Sequence, residues 1–136
     1  MQFVLDASAM LRLFLDDGPI EDSLYVAMAQ VESGEASFVV PELFWAEAAH
    51  VLHRRRKQKL LSVDELNRLW GDMSALPART LGHLPFMQEA FGFADEFNLS
   101  VYDALYLSIA VAIEVPLLTA DDQLNRAASK LDILPR

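Results

Sequence analysis

Residues 99–113 read LSVYDALYLSIAVAI, and residues 114–122 continue EVPLLTADD. The first stretch has the length and composition of a buried helix, spanning 101–113. The second holds PLLT at 116–119, a short apolar run with the look of a buried strand. A core helix feeding a core strand is the repeating unit of an α/β fold. The same stretch poses a chemical question. Asp103 sits at the start of the apolar helix, and no Lys, Arg or His lies within ten residues of it on either side. A buried carboxylate without a partner costs several kcal/mol or more, so it must be paired or neutralised.

Working outward, FVL at 3–5 and SFVV at 37–40, the latter stopped by Pro41, are further strand candidates. LDIL at 131–134 is similar, and ARTL at 78–81 is a weaker one. Helical patterns lie between them. Leu24, Ala27, Met28 and Val31 follow i, i+3, i+4, i+7 spacing ahead of Gly34. Ser62 and Glu65 form a capping box before Leu66, Leu69, Trp70 and Met73. Residues 42–57 place Phe44, Ala48, Val51 and Leu52 on one face, and 8–15, 86–97 and 122–130 complete the set. Met28, Trp70 and Met73 read as core rather than cofactor contacts. Strands alternating with helices predict a mainly parallel sheet.

The 136 residues suit one domain, 1–136, and 53% hydrophobic content argues against disorder. The apolar window 104–113 is far shorter than the roughly 18–20 residues that span a bilayer. The start MQFVLDAS has no basic region typical of a secretory signal, so a cytoplasmic location without membrane attachment is expected. The absence of cysteine excludes disulfides, thiol nucleophiles and Cys-based metal sites. The net charge of −9 taken alone opposes a nucleic-acid partner, yet five of the eleven Lys and Arg residues cluster in HRRRKQK. Those are Arg54, Arg55, Arg56, Lys57 and Lys59, which also suit the negative end of a helix macrodipole.

Placing the acids on this plan brings four together. Asp6 follows the first strand, and Glu47 lies in the second turn of the helix after 37–40. Asp103 lies in the first turn of the helix leading into 116–119, and Asp121 follows that strand. In a parallel sheet all four lie toward the carboxyl edge, where open α/β folds bind ligands. At ~5 Å and an effective dielectric of ~20, each like-charged pair would cost roughly 3 kcal/mol. A hard divalent cation offsets this economically, because Mg²⁺ or Mn²⁺ prefers oxygen ligands. Local roles compete with this reading. Ser100-x-x-Asp103 matches a capping box, Asp6 and Ser8 both suit the cap of the first helix, and Glu47 could be an exposed helix residue. Thr119-x-x-Asp122 also matches a capping box, which assigns Asp122 to the cap and leaves Asp121 for the site.

FVLDASAML, VVPELFWAEAAHVLHRR, SVYDALYLSIA and LLTADDQL resemble the four acidic motifs of PIN-domain ribonucleases, and more narrowly those of VapC-type toxins of toxin–antitoxin pairs. The resemblance covers nearly the whole chain. It implies a three-layer α/β fold, a five-stranded parallel sheet of order 3-2-1-4-5 wrapped by about seven helices. Asp6 and Asp103 resemble the principal metal ligands, Glu47 and Asp121 the remaining acids, and Ser8 and Thr119 supporting hydroxyls. The activity implied is a metal-dependent endoribonuclease using Mg²⁺ or Mn²⁺, in which metal-activated water attacks an RNA phosphodiester. Such a reaction needs no catalytic histidine, so His50, His53 and His83 read as non-catalytic; His50, a turn past Glu47, is the one nearest the acids. Arg54 and Lys57 become candidates for RNA phosphates. The resemblance also implies a VapB-type antitoxin, whose inserted Arg would suit an electronegative cleft. A homodimer is implied too, with helices 20–33 and 62–75 as candidate interfaces.

Three other readings fit parts of the pattern. A phosphoaspartate hydrolase wants a second acid two residues after Asp6, where Ser8 stands. A two-component receiver wants a Lys after the last strand, where only Arg136 is offered. A catalytically inactive PIN-like binding module would use its acids to hold a partner's basic residues.

Overall fold

The centre of the molecule is β1 (Gln2–Leu5), flanked on one side by β2 (Ser37–Pro41) and on the other by β4 (Leu117–Leu118). The computed structural model describes residues 1–135. β3 (Ala78–Leu81) pairs with β2, giving the order β3-β2-β1-β4 with every pairing parallel. Val4, Leu5, Val39, Val40 and Leu117 are all buried. Such continuous apolar strands are what a parallel sheet covered on both faces requires.

Seven α-helices wrap this sheet among the described residues: α1 (Ala7–Phe14), α2 (Asp22–Glu32), α3 (Glu42–Lys57), α4 (Val63–Ser74), α5 (Met87–Phe97), α6 (Val101–Ile113) and α7 (Asp122–Lys130). A 3-10 turn, Leu84–Phe86, leads into α5. The expected Ser62–Glu65 capping box forms in both directions, at 3.1 Å each way. Helix α6 is apolar on every side because it is the core helix. Residues Ala104 to Ala110 are buried without a break, and the helix touches β1, β2 and β4. Of its two buried hydroxyls, that of Ser108 donates to Ala104 O at 2.8 Å and so needs no other partner.

The sheet has four strands among the described residues, where five were expected. Helix α7 runs to Lys130, and Asp132 adopts a left-handed φ of 55°, so 131–134 cannot extend into a ladder. A single bond remains where the fifth strand would lie, from Leu117 N–H to Ile133 O at 2.8 Å. ARTL, the weaker candidate, does form a strand, because the neighbouring β2 supplies its pairing. No single helix among the described residues is long and apolar enough to cross a membrane, and α5 meets α6 at 113°.

Candidate active site

The four strands end on one edge, and the chain leaves β1 and β2 directly into a helix or its cap, and β4 through Thr119 and Ala120 into the cap of α7. Asp6 closes β1, its N–H donating to Leu118 O at 2.9 Å, and it occupies the N-cap position of α1. Its carboxylate does not cap that helix, and neither does Ser8. Instead Oδ2 of the buried Asp6 accepts from Ser8 Oγ at 2.6 Å and from Thr119 Oγ1 at 2.7 Å. Each hydroxyl is held in turn by a backbone N–H: Ala120 N–H donates to Ser8 at 3.0 Å, and Asp121 N–H to Thr119 at 3.0 Å. A hydroxyl has one proton to give. The 3.2 Å approach of Ser8 to Thr119 is therefore a contact between two groups whose protons both point at Asp6.

A similar tethering recurs at two of the other acids. Glu47, in the second turn of α3, accepts through Oε1 from the Tyr106 hydroxyl at 2.6 Å. Asp121 accepts through Oδ1 from Leu124 N–H at 2.8 Å and is the N-cap of α7. This corrects the expected division of labour. The cap must be the extended residue just before the helix, which is Asp121, with φ −83° and ψ 125°; Asp122 lies exposed in the first turn. In Asp6, Glu47 and Asp121 alike, the bonds from side-chain hydroxyls or from the helix cap gather on one carboxylate oxygen. Asp103 sits in the first turn of α6, where Ser100 Oγ caps its N–H at 3.1 Å.

All four acids line one cleft of about 250 Å³. Their mutual influence is electrostatic. Burial raises the Asp6 carboxyl against the Ser8 and Thr119 hydrogen bonds, and the charge of Asp121 adds to the rise. Burial pushes Glu47 up to about 7; the Tyr106 hydrogen bond opposes this, and the charges of Asp6 and Asp103 reinforce it. Burial, then Asp6 and Asp121, push Asp103 up to about 6. No Lys or Arg lines the cleft among the described residues. Among the described residues, no three acids or histidines stand close enough together to form a ready cation cage. A larger hollow of about 820 Å³ lies at the opposite edge, beside Phe3, Val26 and Val111, and is mainly apolar.

Two residues beside these acids, one behind the cleft and one lining it, escape a reading of the acids alone. Tyr106 is buried, and only its hydroxyl reaches Glu47. The signal was its position three residues after Asp103 on α6, which puts both toward one side of the helix. His50 lines the cleft beside Glu47. The basic run is divided. Arg54 and Lys57 are exposed, while Arg55 is held by Asp17 at 2.8 Å, with Arg12 at 3.9 Å from the same carboxylate.

With this geometry in view, the pattern of the PIN domain matches residues 3–130. The chain belongs to the PIN domain family. Among PIN-domain relatives, Ribonuclease VapC3 of Pyrobaculum aerophilum is 32% identical over 128 residues, 91% of this chain and 92% of that one. The crystal structure of PAE2754 from the same organism superposes with a TM-score of 0.68 at 22% identity, covering 93% of this chain and 84% of that one. VapBC2 of Rickettsia felis, solved bound to a promoter DNA fragment, gives 0.65 at 15% identity over 93% of each chain. Both structural likenesses establish the shared fold.

Proposed function

We propose that this PIN-domain protein, as a single domain over 1–136, is a VapC-type toxin, an endoribonuclease dependent on Mg²⁺ or Mn²⁺. One observation carries the reading. Carboxylates from four distant segments share a cleft that no Lys or Arg lines among the described residues, and three of them are tethered by hydrogen bonds that gather on one oxygen. Such a donor set fits a hard cation, which takes oxygen ligands, keeps several waters and needs only one or two carboxylates directly. Asp6 and Asp103 would hold it, with Glu47 and Asp121 completing the site directly or through water. When bound, the ion supplies charge for a phosphoryl oxygen and lowers the pKa of water. The chain's own part is positional. Ser8 and Thr119 fix Asp6, Tyr106 fixes Glu47, and the α7 cap fixes Asp121.

The relatives named Ribonuclease VapC support RNA as the substrate, met in the cytoplasm, and the VapBC neighbour supports a VapB-type antitoxin partner. A basic side chain of that antitoxin would suit this cleft, since charge-assisted pairs with carboxylates are strong. Arg54 and Lys57 would meet RNA phosphates beyond it. A homodimer would cover apolar side chains that α2 and α4 expose, among them Tyr25, Val26 and Val63.

The decisive experiment is cleavage of total RNA by wild type, Asp6→Asn and Asp103→Asn, with Mn²⁺ and with EDTA. Wild type with Mn²⁺ should cut; EDTA and either substitution should abolish cutting. Activity that survives both substitutions would falsify the mechanism, and no activity in any arm would favour a binding module.

A further inference from the structure

We propose that His50 is a substrate-contact residue, which donates an imidazole N–H to an RNA phosphate and begins a track running from the acidic cleft along α3. The inference rests on the ribonuclease reading above and adds to it the path of the strand. His50 is the one described side chain in the cleft lining with an N–H to donate. The other polar lining groups are the four acids and Ser8, whose hydroxyl is already engaged with Asp6 and Ala120. A phosphate entering between four carboxylates needs a donor on the wall, and the His50 side chain has no hydrogen bond among the described residues to give up.

Helix geometry extends the argument. At 3.6 residues per turn, Glu47, His50, Arg54 and Lys57 fall within an arc of about 80°, rising about 15 Å from first to last. The remaining cations of the run are elsewhere. Arg55 is held by Asp17, Arg56 falls on about the opposite side of the helix, and Lys59 lies beyond its end. The run therefore offers one stripe of N–H donors, and its near end, His50, is in the cleft. His50 is exposed, so replacing it removes no core packing.

The test compares wild type, His50→Ala and His50→Gln on a single-stranded RNA oligonucleotide with Mn²⁺, and measures Mn²⁺ affinity by calorimetry. A contact used equally in ground and transition states shows in KM. His50→Ala should raise KM roughly tenfold, with kcat within about twofold, the size of one lost hydrogen bond to a charged group. His50→Gln keeps an N–H donor and should recover most of the loss, and Mn²⁺ affinity should be the same in all three. An unchanged KM in His50→Ala would overturn the track, as would equal impairment of His50→Gln or a parallel loss of Mn²⁺ affinity. Asp6→Asn in the same assay separates the two levels. If it cuts like wild type, or if wild type does not cut, the ribonuclease reading fails and the inference falls with it. If only the His50 variants behave as wild type, the inference fails alone.

Discussion

Tyr106 shows what single residues do in this cleft. Its hydroxyl sits 2.6 Å from Glu47 Oε1 and is the main influence holding that carboxyl down against burial. Removing it in Tyr106→Phe should raise Glu47 further above about 7, because desolvation and the charges of Asp6 and Asp103 remain. A cation binds the ionised form, so Mn²⁺ affinity at pH 7 should fall roughly threefold to tenfold, one pK unit being a factor of ten. The deficit should shrink at pH 8, where a larger share of Glu47 is ionised in both proteins. Calorimetry at both values separates this from a purely geometric loss, which would not depend on pH. The four acids were legible at this scale because Asp6 and Asp121 lie just past strands, Asp103 opens a helix, and Glu47 lies one turn into the helix after β2. What stayed hidden was partnership. Nothing local in the sequence says that the hydroxyls of Ser8 and Thr119, 111 residues apart, converge on one oxygen of Asp6. The choice between Asp121 and Asp122 also depended on which backbone turned helical first.

At the scale of elements, α3 is a strut with distinct faces. Trp45 Nε1 donates to Thr80 Oγ1 at 2.9 Å and ties the helix to the outer strand, while Phe44 and Trp70 meet the Trp45 ring edge-on. Arg55 is fastened to the loop after α1 through Asp17. With both partners about 30% exposed, that ion pair contributes at most about 1 kcal/mol and chiefly sets where the guanidinium lies. Arg54 and Lys57 are left for solvent or for RNA. The double variant Arg54→Ala with Lys57→Ala should therefore weaken RNA binding and flatten the log Kd against log salt slope by roughly 1.4, at about 0.7 per phosphate contact on a single strand. Fluorescence anisotropy from 50 to 300 mM salt reads this directly, and an unaltered slope would remove both residues from the interface. Arg55→Ala should leave the slope nearly as it was. Sequence periodicity placed the helices well, since 42–57, 101–113 and 122–130 form with those bounds. It failed at 131–134, where the composition suits a strand but Asp132 turns left-handed directly after α7 and breaks the extended backbone.

Over the whole molecule, the net charge of −9 and the buried acids push stability the same way. Asp6, Glu47 and Asp103 all have folded-state values above their ordinary ones. Below about pH 4 the carboxyls are protonated in folded and unfolded chains alike, so they impose no penalty. As pH rises toward about 7, the unfolded chain releases protons that the folded cleft retains, and stability falls across that window. Self-repulsion of the growing net negative charge adds to the decline. Metal-free protein should thus melt at a lower temperature at pH 8 than at pH 5.5. A divalent cation reverses this by binding the ionised cleft of the folded state only. At a hundred times its Kd it contributes about 2.7 kcal/mol, a rise in Tm on the order of 10 °C. The rise should be larger at pH 8 than at pH 5.5, because at the lower value the cation must displace protons from Glu47 and Asp103. Scanning calorimetry with and without Mg²⁺ at the two pH values tests both signs. Asp103→Asn should flatten the metal-free pH dependence and lessen the Mg²⁺ response. A metal-free protein that grows more stable toward pH 8 would mean that something other than a cation already neutralises these carboxylates.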